Sequence, residues 1–499
     1  MNLSVKSTVD VVKSHRLFLL KLLLAIQVGF LGYFLFTAIH DGHYFLAHED
    51  EVINFSSAKL FSETGSLRAE GCIAEDVSRM GQMNWYGPGY SLLYGSLRNM
   101  FGDHVVLFIQ LHGVFALITL VLIYFLPSST ENRLLMASAI VFTNAFTAYI
   151  FTYFPESLHF LLAMILILLL LRIHQSKNDG HRRLYVMGFI VLIMVSILLR
   201  VTYVFWLAAL IGLSDSRRKA LKMTILFAIV LILTLVYMKL FTAPPYAGEM
   251  QKIDRLYEFD VFGFVWKTVK ALLRNSYYLI ISGAAGVYFL LTLFGVGAVI
   301  WWKTRDRFLL ASVLVSFFLL GSLMAYYSAG PWYFLKQSAV LVPLLITALM
   351  RSEIAARLKY GVLFASAGVF LFTAKELTHN IAEHREAYVK FQEFQDFRSS
   401  LNELSDQIKG SKPVTVLWCY DEYDFGGATE ALMPFSTREG FPILYTSNVL
   451  SADSVPHVKF RFHHKLIIDY LLSREPVSFP FAKEVHTTPY YHFYKIEED

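Results

Sequence analysis

The sequence predicts a polytopic α-helical membrane protein with about eleven transmembrane helices and a small C-terminal α/β domain outside the membrane. Three observations predict it. Of 499 residues, 56% are hydrophobic and 17% charged, too apolar a balance for a water-soluble enzyme. Eleven apolar runs approach the roughly 20 residues that cross about 30 Å of hydrocarbon. Past Ala374 the charge changes sign: residues 375–499 carry a net −6 and residues 1–374 a net +11.

The runs are 17–38, 104–126, 134–152, 157–173, 184–199, 201–213, 223–241, 282–301, 309–327, 334–350 and 360–374. Lys6, Lys13 and Arg16 precede the first, and no small-residue cleavage pattern follows it, so it reads as an uncleaved signal anchor. Arg200 interrupts 184–213, which leaves two short spans joined at the outer surface or one long span plus a re-entrant piece. Eleven spans put four basic loops on the side of the N-terminus: Arg172 to Arg183, Arg217 to Lys222, Lys303 to Arg307, and Arg351 to Lys359. The excess of basic residues makes that side cytoplasmic. The loops 41–104 and 242–281 and the tail then face outward. Positive charge so placed serves topology and anionic headgroups, and a nucleic-acid partner is not implied. The domains are expected at 1–374 (transmembrane, with an extracytoplasmic catalytic loop 41–103), 375–410 (helical linker) and 411–499 (α/β).

The outer segments carry their own order. Glu51 to Thr64 has the apolar spacing of a helix on the membrane interface, with Gly65 placed to end it. The turn Asn84-Trp85-Tyr86-Gly87-Pro88-Gly89-Tyr90 precedes a second interfacial helix to Met100, its aromatic residues suited to the headgroup level. Tyr153-Phe154-Pro155-Glu156-Ser157 sets Glu156 at the start of a span, and 242–281 holds a helical stretch with Trp266, Lys267 and Lys270. In the tail the pattern predicts an exposed amphipathic helix over 376–408, strands at 414–418, 441–446 and 486–496, and a helix at 465–473. Cys72 and Cys419 both fall outside, either as a disulfide or as two thiols.

The candidate chemistry gathers at His48-Glu49-Asp50-Glu51, just beyond the first span. Carboxylates are costly in hydrocarbon, so acids at its edge suit a reaction in which a lipid-borne substrate meets water. The alternative is that they cap the helix that follows. Asp50-Glu51, the helix through Ala58 to Gly65, and Tyr86-Gly87-Pro88-Gly89-Tyr90 resemble the GT-C glycosyltransferases. Within them the resemblance is to the protein-O-mannosyltransferase and aminoarabinose-transferase branch. Pro155-Glu156 and Tyr333 with Pro343 add to it, over roughly residues 17–350. Gly87 stands where aminoarabinose transferases usually carry a basic residue.

The resemblance implies an inverting transferase of the bacterial cytoplasmic (inner) membrane, working in cell-envelope glycan biosynthesis. A monosaccharide would pass from a polyprenyl phosphate to a glycan, lipid or protein acceptor on the outer face. It implies Asp50 as general base, with Glu51 orienting the acceptor or sharing a metal. No Trp-Trp-Asp-Tyr-Gly string occurs, which disfavours oligosaccharide transfer to asparagine. For the donor phosphate, Arg200 and Lys336 are the candidates, with Arg79 and Arg98 as weaker alternatives. Arg200 is equally well read as an interfacial cation reaching for water, and that reading applies more strongly to Lys336. Tyr86, Glu156 and Tyr333 are candidate substrate contacts. His48 with Asp50 could bind a divalent metal, although the spacing fits no closed site. The sequon Asn54-Phe55-Ser56 would put a glycan beside the proposed site in a secretory membrane, which favours a bacterial one. A transporter or flippase of lipid-linked sugars, or a non-catalytic assembly subunit, stands as the other reading. Few charges away from span ends and no visible repeat weigh against transport.

Overall fold

The structure is a computed structural model. It describes residues 2–40, 42–44, 46, 49–67, 72–73, 87–102, 106–241, 260–281, 283–326, 331–353, 356–408, 416–419, 442–446, 457–459, 465–467, 469–473, 476–487, 489 and 492–497. Nine helices among these are long and apolar enough to cross a membrane. In chain order the helices are α1 (Asn2–His40), α2 (Glu49–Thr64), α3 (Gly89–Phe101), α4 (Leu107–Tyr124), α5 (Thr130–Val141) and α6 (Asn144–Ile150). They continue with α7 (Glu156–Gln175), α8 (Asp179–Ile197), α9 (Ala208–Gly212), α10 (Arg217–Phe241) and α11 (Val261–Ile281). The last are α12 (Ala285–Thr304), α13 (Arg307–Tyr326), α14 (Pro331–Arg351) and α15 (Ala356–Ile408). A 3₁₀ run, Val201–Leu207, joins α8 to α9.

Two expected spans differ in form. The run 134–152 is two helices, broken where the Thr143 hydroxyl donates to the Ile140 carbonyl at 2.6 Å and draws off the last turn of α5. The run 201–213 is the 3₁₀ segment followed by the five-residue α9. It returns to the start of α8, where the Arg182 guanidinium donates to the Leu213 carbonyl at 3.1 Å. Its rise is about 21 Å, so the stretch around Arg200 is one full helix plus one short crossing. The four basic loops meet at one end of the bundle. Asp215 pairs with Arg182, with Arg307 at 2.5 Å and with Lys219 at 3.5 Å, and the Arg351 guanidinium lies 5.6 Å from the Phe308 ring. This is the basic end; the opposite end, which holds α2 and α3, is the loop end.

At the loop end α2 stops where expected. Gly65 has a φ of +72°, and its N–H donates to the Phe61 carbonyl at 2.8 Å. α2 packs on α3, burying Phe55, Ala58 and Leu60. Tyr90 is not an interfacial anchor: it is 1% exposed and its ring stacks on Tyr94 at 4.2 Å. Asn54 is fully buried, so its sequon offers no acceptor. Trp85 lies outside the described residues.

The last span and the expected helical segment 376–408 are one helix: α15 runs unbroken for 53 residues. Beyond it come β2 (Val416–Cys419), β3 (Pro442–Thr446), β4 (His457–Lys459), β5 (Lys465–Ile467), β6 (Tyr470–Ser473), β7 (Ala482–Thr487) and β8 (His492–Ile496). β1 (Cys72–Ile73) comes from the first loop and completes a sheet of order β1-β3-β2-β6-β8-β7. The expected helix at 465–473 is two strands. Tyr470 stacks on Phe493 at 5.2 Å while β6 pairs with both β2 and β8, so cross-strand partners override the helical spacing. The expected strand 486–496 is the hairpin of β7 and β8.

The register also separates the cysteines. Cys72 lies opposite Pro442 and Cys419 opposite Thr446, at the two ends of β3 and on either side of it. Their Cα atoms are thus roughly 16 Å apart by strand geometry, far beyond the disulfide range of about 4.4–6.8 Å. The two are not paired in this sheet.

Candidate active site

Two buried ion pairs organise the loop end. The first belongs to Glu51, in the opening turn of α2 and fully buried. Its Oε1 accepts the Tyr153 backbone N–H at 2.8 Å, and His384 Nε2 lies 2.9 Å from Oε1 and 3.1 Å from Oε2. The His384 Nδ1 faces the Asn380 carbonyl at 2.5 Å, so the ring is held from both sides. Tyr44 stacks on that ring at 4.8 Å and donates its hydroxyl to the Phe151 carbonyl. Burial pushes the Tyr44 phenol well above its ordinary pKa, and the Glu51 carboxylate raises it further, so it stays a neutral donor. One carboxylate thereby joins the first loop, the corner 151–155 and the part of α15 beyond its apolar run 360–374.

Direct contact between Glu51 and an acceptor needs an accessible oxygen, and here both oxygens face Tyr153 and His384. Asp50 lies one residue earlier on α2, but its side chain, like His48, Tyr86 and Arg79, falls outside the described residues. Among the described residues no three His, Cys, Asp or Glu side chains converge as a metal site.

A second connection ties α3 to the same corner. His112 Nε2 meets the Tyr94 hydroxyl at 2.9 Å, and its Nδ1 meets the Thr152 carbonyl at 2.8 Å. The turn ahead of α3 seats on the end of α8, where the Gly89 N–H donates to the Leu198 carbonyl at 2.8 Å. A Cβ on Gly87 would stand 2.6 Å from that oxygen and one on Gly89 2.7 Å, and Gly87 has a φ of +90°. Glycine at these positions is therefore a steric requirement, which explains a side-chain-free residue at Gly87.

The second ion pair lies two residues beyond Leu198. Arg200, in extended conformation between α8 and the 3₁₀ run, donates to Glu156 Oε1 at 2.5 Å and reaches the Lys336 carbonyl at 3.5 Å. Its side chain is 6% exposed and that of Glu156 is fully buried. The Lys336 ammonium sits 4.5 Å from the centre of the Phe154 ring, a cation–π contact. A 3₁₀ helix has three residues per turn, so Tyr203 repeats the position of Arg200. Its hydroxyl meets His159 Nδ1 at 3.0 Å, one turn after Glu156 on α7. The structure thus brings Glu156, Arg200 and Lys336 together, with half-buried Tyr333 one turn before Lys336. Arg98 is elsewhere, buried 4.8 Å from the Phe55 ring.

Sequence reasoning missed His384, Tyr153, Tyr44 and His112. His112 was open to detection as a lone histidine within an apolar run. His384 was hidden in a helix expected to be exposed, and nothing local pairs it with a residue 333 positions away.

No protein-family model matches the sequence, and no curated protein matches it. Solved structures do match in fold, two of them forms of one protein. The crystal structure of ArnT from Cupriavidus metallidurans bound to undecaprenyl phosphate superposes with a TM-score of 0.54 at 11% identity. It covers 94% of this chain and 97% of its own. The apo crystal structure of the same protein gives 0.50 at 12% identity with the same coverage. The chain has an ArnT-like fold.

Proposed function

We propose that this protein is an inverting membrane glycosyltransferase that moves a monosaccharide from a polyprenyl phosphate to an acceptor outside the membrane. The observation that carries the reading is the buried group of Glu156, Arg200 and Lys336 at the loop end. Arg200 supplies a planar fork of donors and Lys336 a point charge, in a region where ionisable side chains mark function. An anionic headgroup with an apolar chain is the ligand such a site suits. The solved ArnT structure of like fold holds undecaprenyl phosphate, which supports a lipid of this class.

In the proposed reaction Asp50 takes the proton of the acceptor hydroxyl as its oxygen bonds to the anomeric carbon from the face opposite the phosphate. The bond from that carbon to the phosphate oxygen breaks, and polyprenyl phosphate departs with the electron pair. Arg200 and Lys336 stabilise the charge on the departing phosphate, and Glu156 fixes the Arg200 fork. Glu51 acts through position: pinned by Tyr153 and His384, it sets the first turn of α2 that carries Asp50. The loop end faces outward and the basic end the cytoplasm, by the charge of the loops.

The test is transfer of radiolabelled sugar from membrane lipids by purified protein. Asp50→Asn is expected to lower the rate by about 10²–10⁴, the usual contribution of a positioned base, with thermal stability unchanged. A variant as active as the wild type would remove Asp50 from the chemistry.

A further inference from the structure

At the basic end, away from the candidate active site, a groove of about 470 Å³ opens between α8 and α10. This is within the size range of small-ligand sites, roughly 300–1,000 Å³. Short α9 and the turn that follows it form one wall, through Leu210, Leu213 and Ser214. Val186 and Ile190 of α8, Leu210 of α9 and Met223 of α10 line it, with Asp179, Arg182, Arg183 and Lys219 in the lining as well. The neighbouring Leu184, Leu221 and Ile225 are exposed, which in a bilayer turns this flank toward lipid chains.

The charges in the groove are unevenly partnered. Arg182 is held by Asp215 and the Leu213 carbonyl. Lys219 reaches Asp215 only at 3.5 Å with its side chain 61% exposed, and Asp215 is already shared with Arg182 and Arg307. Arg183 is exposed and has no ion-pair partner among the described residues. Residues 177–183 and 215–222 together hold seven Lys or Arg and two Asp, a net +5. An apolar trough with a cationic end, open sideways to lipid, complements an acyl chain ending in a phosphate.

We propose that this groove binds an anionic phospholipid of the leaflet at the basic end, one acyl chain along the apolar lining and the phosphodiester at Arg183 and Lys219. The proposal is independent of the transferase reading.

Native mass spectrometry of the full chain, incubated with equal phosphatidylglycerol and phosphatidylcholine, tests it. The wild type should retain phosphatidylglycerol preferentially. R183Q/K219Q should weaken that retention about tenfold or more, since each basic residue near a membrane surface contributes roughly a factor of five. K303Q/R357Q, which removes two exposed cations of the same end, should leave it unchanged. Val186→Trp, which fills the trough, should abolish retention where Leu184→Trp, on the lipid flank, does not. Equal retention of both lipids, equal loss in K303Q/R357Q, or retention surviving Val186→Trp would each overturn the proposal. Inorganic phosphate displacing phosphatidylglycerol completely would overturn it too, by making the site one for a free anion.

Discussion

The two ends of this bundle solve the same problem, placing a carboxylate beside a cation, in opposite ways. At the basic end Asp215 is 39% exposed and gathers Arg182, Lys219 and Arg307 around one acid. At the loop end Glu51 and Glu156 are fully buried, and their ion partners His384 and Arg200 are 0% and 6% exposed. Exposed pairs are screened by water and contribute little, whereas breaking a buried pair leaves a charge without solvent. The difference shows where the molecule tolerates energetic cost: at the loop end, where an anionic substrate would arrive, and not at the basic end, where the charges keep their water.

Breaking the loop-end pairs should therefore have the largest effect. Glu156→Gln leaves the Arg200 guanidinium without its carboxylate and is expected to lower stability by about 3–5 kcal/mol, read from denaturation in detergent. A loss below about 1 kcal/mol would place this pair with the exposed ones. Next comes the brace between α2 and α15. Glu51→Gln and His384→Ala should each destabilise, and their double-mutant cycle should show a coupling of about 0.5–3 kcal/mol. Additive losses would mean that the contact does not link the two elements. If the brace also positions Asp50, both single variants should reduce transfer while leaving the affinity for polyprenyl phosphate intact.

The smallest effect is expected at the basic end. Asp215→Asn should cost at most about 1 kcal/mol after solvent screening. The Arg182 hydrogen bond holds the Asp215 pKa below the ordinary carboxylate value in the folded state. Its contribution is thus present above the unfolded pKa of about 3.9 and is lost as pH falls through the lower folded value. A wild-type minus D215N stability difference that vanished between pH 6 and pH 8 would contradict that sign.

What was legible in the sequence follows the same division. The long spans, α2 with its stop at Gly65, α3 and the side shared by the basic loops are local matters of run length, spacing and charge. Glu156, Arg200 and Lys336 stood out as ionisable residues in or against otherwise apolar runs, although only the fold brings residues 156, 200 and 336 together. The break of α5 at Thr143 was hidden because Thr143 and Asn144 interrupt an otherwise apolar run too briefly to register. Tyr90 looked like a headgroup anchor because aromatic residues near span ends usually are; its burial depends on Tyr94 and Tyr153. The strands at 465–473 depend on β2 and β8, and the Glu51–His384 contact on a helix that keeps going past its apolar run. None of these partners is near in sequence.

If Arg200 and Lys336 hold the phosphate of a polyprenyl donor, as proposed, the affinity of purified protein for polyprenyl phosphate must depend on them. Lys336→Gln should weaken binding about tenfold or more while Lys270→Gln, on the exposed face of α11, leaves it unchanged. Unaltered binding in a folded Lys336→Gln protein, or an equal loss in Lys270→Gln, would contradict the account.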